Sequence, residues 1–226
     1  MDIFSFDRMV EYFPKIIKCL PVTLYVVLGA MVIGILLSVI LALFRIYQIP
    51  VLNQFAIAYI SFIRGTPINI QLFVVYFGVP MLLSSVYPRI NRANPMLFVI
   101  ITYAINNAAF FAELIRASVK GVNHGQVEAG YSIGMTKLQT FFRIIAPQAF
   151  RLAIPDIGNT VVNLLKNTAL AYTLGIVDLM GEVMIIGGTT RHTLEGYLDV
   201  AIIYIVLSAL LERGFLQIER KLNVRA

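Results

Sequence analysis

Five long apolar runs separated by polar stretches set the pattern of this chain: Leu20 to Phe44, then about Ala56–Leu83, Met96–Ser118, Ala153–Ile176 and Leu198–Leu216. Each is long enough to cross a bilayer core as a helix, which takes about 20 residues. The first run also exceeds the apolar core of a cleavable secretory signal, about 7 to 15 residues. It follows a charged segment that contains Asp2, Asp7, Arg8, Glu11, Lys15 and Lys18, so it is expected to span rather than to be removed. The expectation is an all-α integral membrane protein with about five transmembrane helices. Residues 1–226 form a single transmembrane domain, and a long polar loop at about 120–147 joins the third and fourth spans.

Polar positions inside the runs are not scattered. The second run holds Arg64-Gly65-Thr66-Pro67, where the proline removes a helical hydrogen bond and a kink or broken turn is expected. In the fourth run Asp156, Asn159, Thr160, Asn163, Lys166 and Asn167 recur at intervals of three and four, which puts them on one helical stripe. A central charge facing lipid costs about 2.5–3.5 kcal/mol, so the stripe faces either a translocation path or a partner helix to which it only bonds. Together with Thr66, Asn69 and Gln71 of the broken second run, it supplies the candidate groups for a polar path. In the third run Asn106, Phe110, Glu113 and Ala117 share a face, and Glu113 precedes Arg116 by three residues. A local structural ion pair is favoured there over a role in the path.

The 120–147 loop has helix signals of its own. Asn123 and Gln126 have the spacing of a cap and its reciprocal partner, a short helix is expected through Glu128, Ala129 and Ile133, and Gly134 is placed to end it. Thr136 and Gln139 repeat the capping spacing; Leu138, Phe141, Phe142 and Ile145 then form an apolar face, and Pro147 is expected to stop or bend the segment. Two short helices hinged at glycine make a protrusion. Ala129 and Gly130 permit close backbone approach, and Tyr131 and Ile133 suit a pocket on another protein. Docking to a partner is favoured over the alternative, an interfacial helix lying on the membrane.

Composition agrees with the pattern: 59% of residues are hydrophobic, 13% are charged, and the mean hydropathy is +0.82. That leaves too little polar surface for a water-soluble globule. The net charge of +6 comes without a basic run interleaved with aromatics, which argues against nucleic acid. With five spans and the 120–147 loop inside, ten Lys and Arg fall on the cytoplasmic side and six on the other, Arg64 and Lys166 lying within spans. The bias predicts an outside amino terminus and a cytoplasmic carboxyl terminus. The lone Cys19 excludes an intrachain disulfide and reads as a packing residue, and His124 and His192 read as solvated loop residues. Nothing in the chain reads as catalytic, and no metal site is expected. A phosphate loop of the form G-x-x-x-x-G-K-[ST] is absent from the sequence, so ATP chemistry is not expected here.

Glu128, Ala129, Gly134, Ile144 and Pro147 resemble, at matching spacing, the cytoplasmic "EAA" coupling loop of the membrane subunits of binding-protein-dependent ABC importers. Arg64-Gly65-Thr66-Pro67 with Gln71, Asn107-Ala108-Ala109 with Glu113, Arg116, Gly125 and Gln126, and Leu165-Lys166-Asn167-Thr168 are similar to successive motifs of the polar amino acid branch. Pro21-Val22-Thr23-Leu24-Tyr25 and Arg45-Ile46-Tyr47 resemble the L-cystine subgroup. Two positions depart from the pattern: Gly130 stands for the second alanine of the signature, and Ala146 for a leucine before Pro147. The resemblance implies the type I ABC importer permease fold in a bacterial cell membrane. It implies a second permease subunit, identical or related, and two ATPases held at Glu128–Gly134 with ATP and Mg bound on them and no cofactor in this chain. An extracytoplasmic binding protein would deliver the amino acid, and transport would proceed by alternating access. An ATP-independent carrier or channel using the same polar stripe is the alternative, although such carriers are commonly built from repeated halves and no internal duplication is visible.

Overall fold

The structure is a computed structural model and describes residues 4–222; Asp2 and Arg225, counted above, lie outside them. Every regular element among the described residues is helical. The chain opens with α1 (Phe6–Ile17), a short amphipathic helix that the apolar pattern did not single out. It continues through α2 (Leu20–Ile46), α3 (Leu52–Gly65), α4 (Ile68–Phe73), a π-helical turn (Val74–Gly78) and α5 (Val79–Leu83). Next come α6 (Pro95–Lys120), α7 (His124–Ser132), α8 (Lys137–Thr140), a second π-helical turn (Phe141–Ile145) and α9 (Ala146–Asn167). A 3-10 turn (Thr168–Leu174), α10 (Leu179–Thr190) and α11 (Leu194–Lys221) complete it. Helices α2, α6 and α11 are each long and apolar enough to cross a membrane, and up to five crossings result if each of two bent helix pairs counts as one.

Helix α6 is the axis. Its small residues Ala104, Ala108, Ala109 and Ala112 are wholly buried, which lets neighbouring backbones come close, as membrane helix interfaces require. Gly34 of α2 marks the tightest approach, since a Cβ there would lie 3.1 Å from the Ala104 carbonyl oxygen. One apolar core joins α2, α6 and α9 through Val26, Ala30, Val99, Tyr103, Leu164 and Leu165. Another packs Ala56, Ile60 and Ile63 of α3 on α6.

The break expected at Arg64–Pro67 is present and larger than a kink: α3 and the segment from Ile68 to Leu83 are bent by 111°. Pro67 forces Thr66 into extended backbone (φ −116°, ψ 141°), as a residue before proline prefers. The carbonyls freed at the end of α3 are taken by Gln71. Its amide nitrogen donates to Ile63 O (2.8 Å), Thr66 O (3.1 Å) and Thr66 Oγ1 (2.8 Å), and its oxygen accepts from Asn106 Nδ2 (3.0 Å).

At the opposite end of the sequence, α1 is fastened to α11. Glu195, 0% exposed, accepts from Ser5 N (2.9 Å) and Arg8 Nε (2.9 Å), with Arg8 Nη2 at 2.7 Å. His192 is half-buried beside Arg8, 3.5 Å away, rather than solvated as its loop position suggested. Helix α10 falls between the fourth and fifth apolar runs. Asp178 caps it through Met180 N and Gly181 N at 3.1 and 2.9 Å, and it packs Leu179, Val183 and Ile186 against Tyr12 and Ile16 of α1. Cys19 is half-buried near Glu182, its thiol 3.9 Å from Oε2.

Replacing Arg8 by Met leaves the Glu195 carboxylate buried with only the Ser5 amide. The expected loss is about 1.5–3 kcal/mol, the worth of hydrogen bonds to a charged group, read as a lower Tm of the detergent-solubilised protein.

Candidate functional site

The 120–147 segment is a hairpin whose geometry follows from local chemistry. Asn123 caps α7, its Oδ1 accepting from Gly125 N at 2.8 Å. The expected reciprocal bond from Gln126 is not formed. The Gln126 side-chain oxygen instead accepts from Gln148 Nε2, which also donates to Ile144 O at 2.9 Å and so ties the base of α7 to α9. Gly134 ends the helix as expected, with φ +81°. Gly134 N bonds Tyr131 O at 2.9 Å and Met135 N bonds Gly130 O at 3.0 Å, the paired bonds of a Schellman stop. The expected capping box at Thr136 is complete: Gln139 N donates to Thr136 Oγ1 (3.3 Å) and Thr136 N donates to Gln139 Oε1 (2.9 Å).

The second arm differs from the expectation of two separate short helices. Pro147 does not stop it. Helix α8 passes through the π turn into α9, with Ala146 N bonded to Phe141 O, and Pro147 lies in the first turn of α9. A proline is tolerated there because its missing N–H falls where the helical register is already broken. The hairpin is thus rooted in the 22-residue helix α9.

Five of the six loop residues singled out, Glu128, Ala129, Tyr131, Ile133 and Gly134, are exposed, Ile133 at 78%. Gly130 is not: it is buried against the hairpin's own second arm, and a Cβ there would meet Ile144 Cδ1 at 3.0 Å and Thr140 Cγ2 at 3.2 Å. Its departure from the family's alanine therefore concerns packing between the arms rather than the outward surface. Between the arms lies a cleft of about 410 Å3 lined by Gln126, Ala129, Ile133, Arg143 and Gln148 among others.

The polar stripe of α9 is sharply one-sided. Asp156, Asn159, Asn163 and Lys166 are exposed, while Ile154, Gly158, Val161, Val162, Leu164 and Leu165 are buried in the bundle. Such a face is unsuited to lipid. Asn167, next in sequence, is half-buried, and its carbonyl accepts from Tyr103 Oη at 2.5 Å. Of the candidates on the second run, Thr66 donates its hydroxyl to Phe62 O at 2.9 Å. Gln71 is only 6% exposed and is corrected from a path residue to a staple of the break, because its amide is used up by backbone carbonyls and Asn106. Glu113 forms the local pair with Arg116, Arg116 Nε donating to Oε2 at 2.9 Å. It also draws Arg45 of α2 to 3.7 Å, a contact that sequence spacing does not show. The neighbouring Arg64 lies over the Phe110 ring at 5.4 Å.

An all-helical membrane bundle with a rigid exposed hairpin and a one-sided polar helix has the form of a transport subunit. The chain belongs to the family described as the binding-protein-dependent transport system inner membrane component, whose model matches residues 34–224. It is 41% identical to the L-cystine transport system permease protein TcyL of Bacillus subtilis over 97% of this chain and 92% of that one. It is 37% identical to the probable amino-acid ABC transporter permease protein PatM of Vibrio harveyi over 97% of each chain. Among solved structures, a chain of an amino acid ABC transporter crystallised with histidines superposes with a TM-score of 0.86 at 33% identity, covering 96% of this chain and 99% of that one. A chain of the inward-facing MetNI methionine ABC transporter shares the fold at TM-score 0.72 and 17% identity, covering 88% and 92%.

Gly134→Ala puts a side chain into the left-handed region at a cost of about 1–2 kcal/mol. The expected result is faster proteolysis within 124–140 while the membrane helices remain protected.

Proposed function

We propose that this chain is the permease subunit of an ATP-driven importer that receives polar amino acids from an extracytoplasmic binding protein. Two permease subunits, identical or related, enclose the path. Two ATPases, carrying ATP and Mg, dock on the exposed residues of the hairpins. The amino terminus is outside and the carboxyl terminus in the cytoplasm, in line with the bias of basic residues. The observation that carries this reading is the hairpin: the Schellman stop and the capping box hold Glu128, Ala129, Tyr131 and Ile133 outward. Because the second arm is continuous with α9, a push on the hairpin is a push on the helix that bears the polar stripe.

Closure of the ATPases on ATP then moves the hairpins, and the two bundles rock between outward- and inward-open states. An amino acid zwitterion needs an acceptor for its ammonium and donors for its carboxylate. Asp156 supplies the first and Lys166 the second, with Asn159 and Asn163 between them on the exposed stripe. Relatives named for L-cystine transport make that dipeptide-sized amino acid the first substrate to test.

Glu128→Lys is expected to weaken ATPase co-purification about tenfold or more, since like-charge contacts at an interface cost several kcal/mol, while membrane insertion is unchanged. In proteoliposomes, uptake is expected to need the ATPase, ATP and the binding protein together. Uptake that persists without ATPase would rule out the importer.

A further inference from the structure

A cleft of about 400 Å3 opens between α1 and α11, walled by Phe6, Met9, Val10 and Phe13 on one side and by Ile202 and Asp199 on the other. Asp199 is the one charged group in this wall. It is 0% exposed, and among the described residues neither carboxylate oxygen has a hydrogen-bond partner. Two cations of α1 are engaged by other carboxylates: Arg8 by Glu195, one turn earlier on α11, and Lys15 by Glu11. A buried carboxyl with neither oxygen bonded is costly whether ionised or not. The wall of the cleft therefore holds a covered acceptor that lacks a donor.

Depth and surroundings narrow the donor. Asp199 lies five residues into α11, about 7.5 Å along its axis at 1.5 Å per residue, a depth comparable to the interfacial layer between lipid headgroups and acyl chains. Beyond it, Ile202, Ile205 and Val206 form an apolar strip, each 43% to 67% exposed, and Phe6 and Val10 of α1 are likewise open at 67% and 57%. A soluble ammonium compound leaves that strip uncovered. A phospholipid with an ammonium head satisfies both halves.

We infer that this cleft binds an aminophospholipid, its primary ammonium donating to Asp199 and an acyl chain lying along Ile202, Ile205 and Val206. The flexible Met9 side chain is the group that moves to admit it. Phosphatidylcholine carries no N–H on its head, and phosphatidylglycerol offers only uncharged hydroxyl donors on a net-negative head, so neither supplies a charge-assisted N–H.

The test is lipid competition on the purified full chain in nanodiscs holding equal amounts of phosphatidylethanolamine, phosphatidylglycerol and phosphatidylcholine, with retained lipid counted by native mass spectrometry. Wild type is expected to retain phosphatidylethanolamine over phosphatidylcholine by about tenfold, the worth of one charge-assisted hydrogen bond. Asp199→Asn is expected to erase the preference. Ile202→Trp, which fills the cleft and keeps the carboxylate, is expected to reduce retention. Equal retention of the three lipids by wild type overturns the inference without recourse to any variant, and so does a preference that survives Asp199→Asn. Excess free ethanolamine that displaces the lipid head completely and binds equally well in phosphatidylcholine alone assigns the cleft to a soluble ammonium and overturns the lipid.

Discussion

Hydrocarbon offers no hydrogen bonds, so every backbone group released where a membrane helix breaks must find a partner inside the protein. That constraint organises this structure. At Thr66–Pro67 the partner is the Gln71 amide, which binds two carbonyls and the Thr66 hydroxyl while Asn106 of α6 holds its oxygen. Where α9 gives way to a 3-10 turn, Tyr103 Oη reaches the Asn167 carbonyl and Thr168 Oγ1 the Leu165 carbonyl at 2.6 Å. Tyr59 Oη makes a different kind of contact, donating to Ile105 O at 2.7 Å within the unbroken α6 and so tying α3 to it. Several of the polar side chains in the apolar runs thus serve to permit broken helices.

The second organising feature is mechanical continuity. Helix α8, the π turn and α9 form one rod from Lys137 to Asn167, with α7 folded back on it through Gly134 and tied by the Gln126–Gln148 contact. The buried packing of Gly130 on Thr140 and Ile144 makes the two arms a unit. The hairpin is therefore one folded unit, continuous with the helix that bears the polar stripe. The other end of the bundle is held differently, by the buried Glu195 joining α1 to α11.

Features with a short-range cause were legible in the residues. Gly134 must adopt positive φ to end α7, Thr136 and Gln139 are three apart, Pro67 breaks its helix, and Glu113 and Arg116 are one turn from each other; each follows from covalent geometry within a few positions. The misread features share the opposite property. Gln71 looked like a path residue because its partner Asn106 is 35 residues away. Gln126 looked like half of a capping box because Gln148 competes for it across the hairpin. Pro147 looked like a terminator because the π turn that accommodates it is not a propensity of any single residue.

By itself, the sequence determined that the chain lives in lipid, where its long apolar helices lie, though not α1 or α10, where the second run breaks and which residues punctuate the hairpin, because hydropathy, proline and glycine act through local backbone energetics. Only the tertiary structure decided which polar groups remain free to act. Glu195 is spent on Ser5 and Arg8, 190 and 187 residues away, and Gln71 on its own break, whereas the α9 stripe and Asp199 are left without such partners. A hydrogen bond consumes a group regardless of separation along the chain, so availability is a property of the fold.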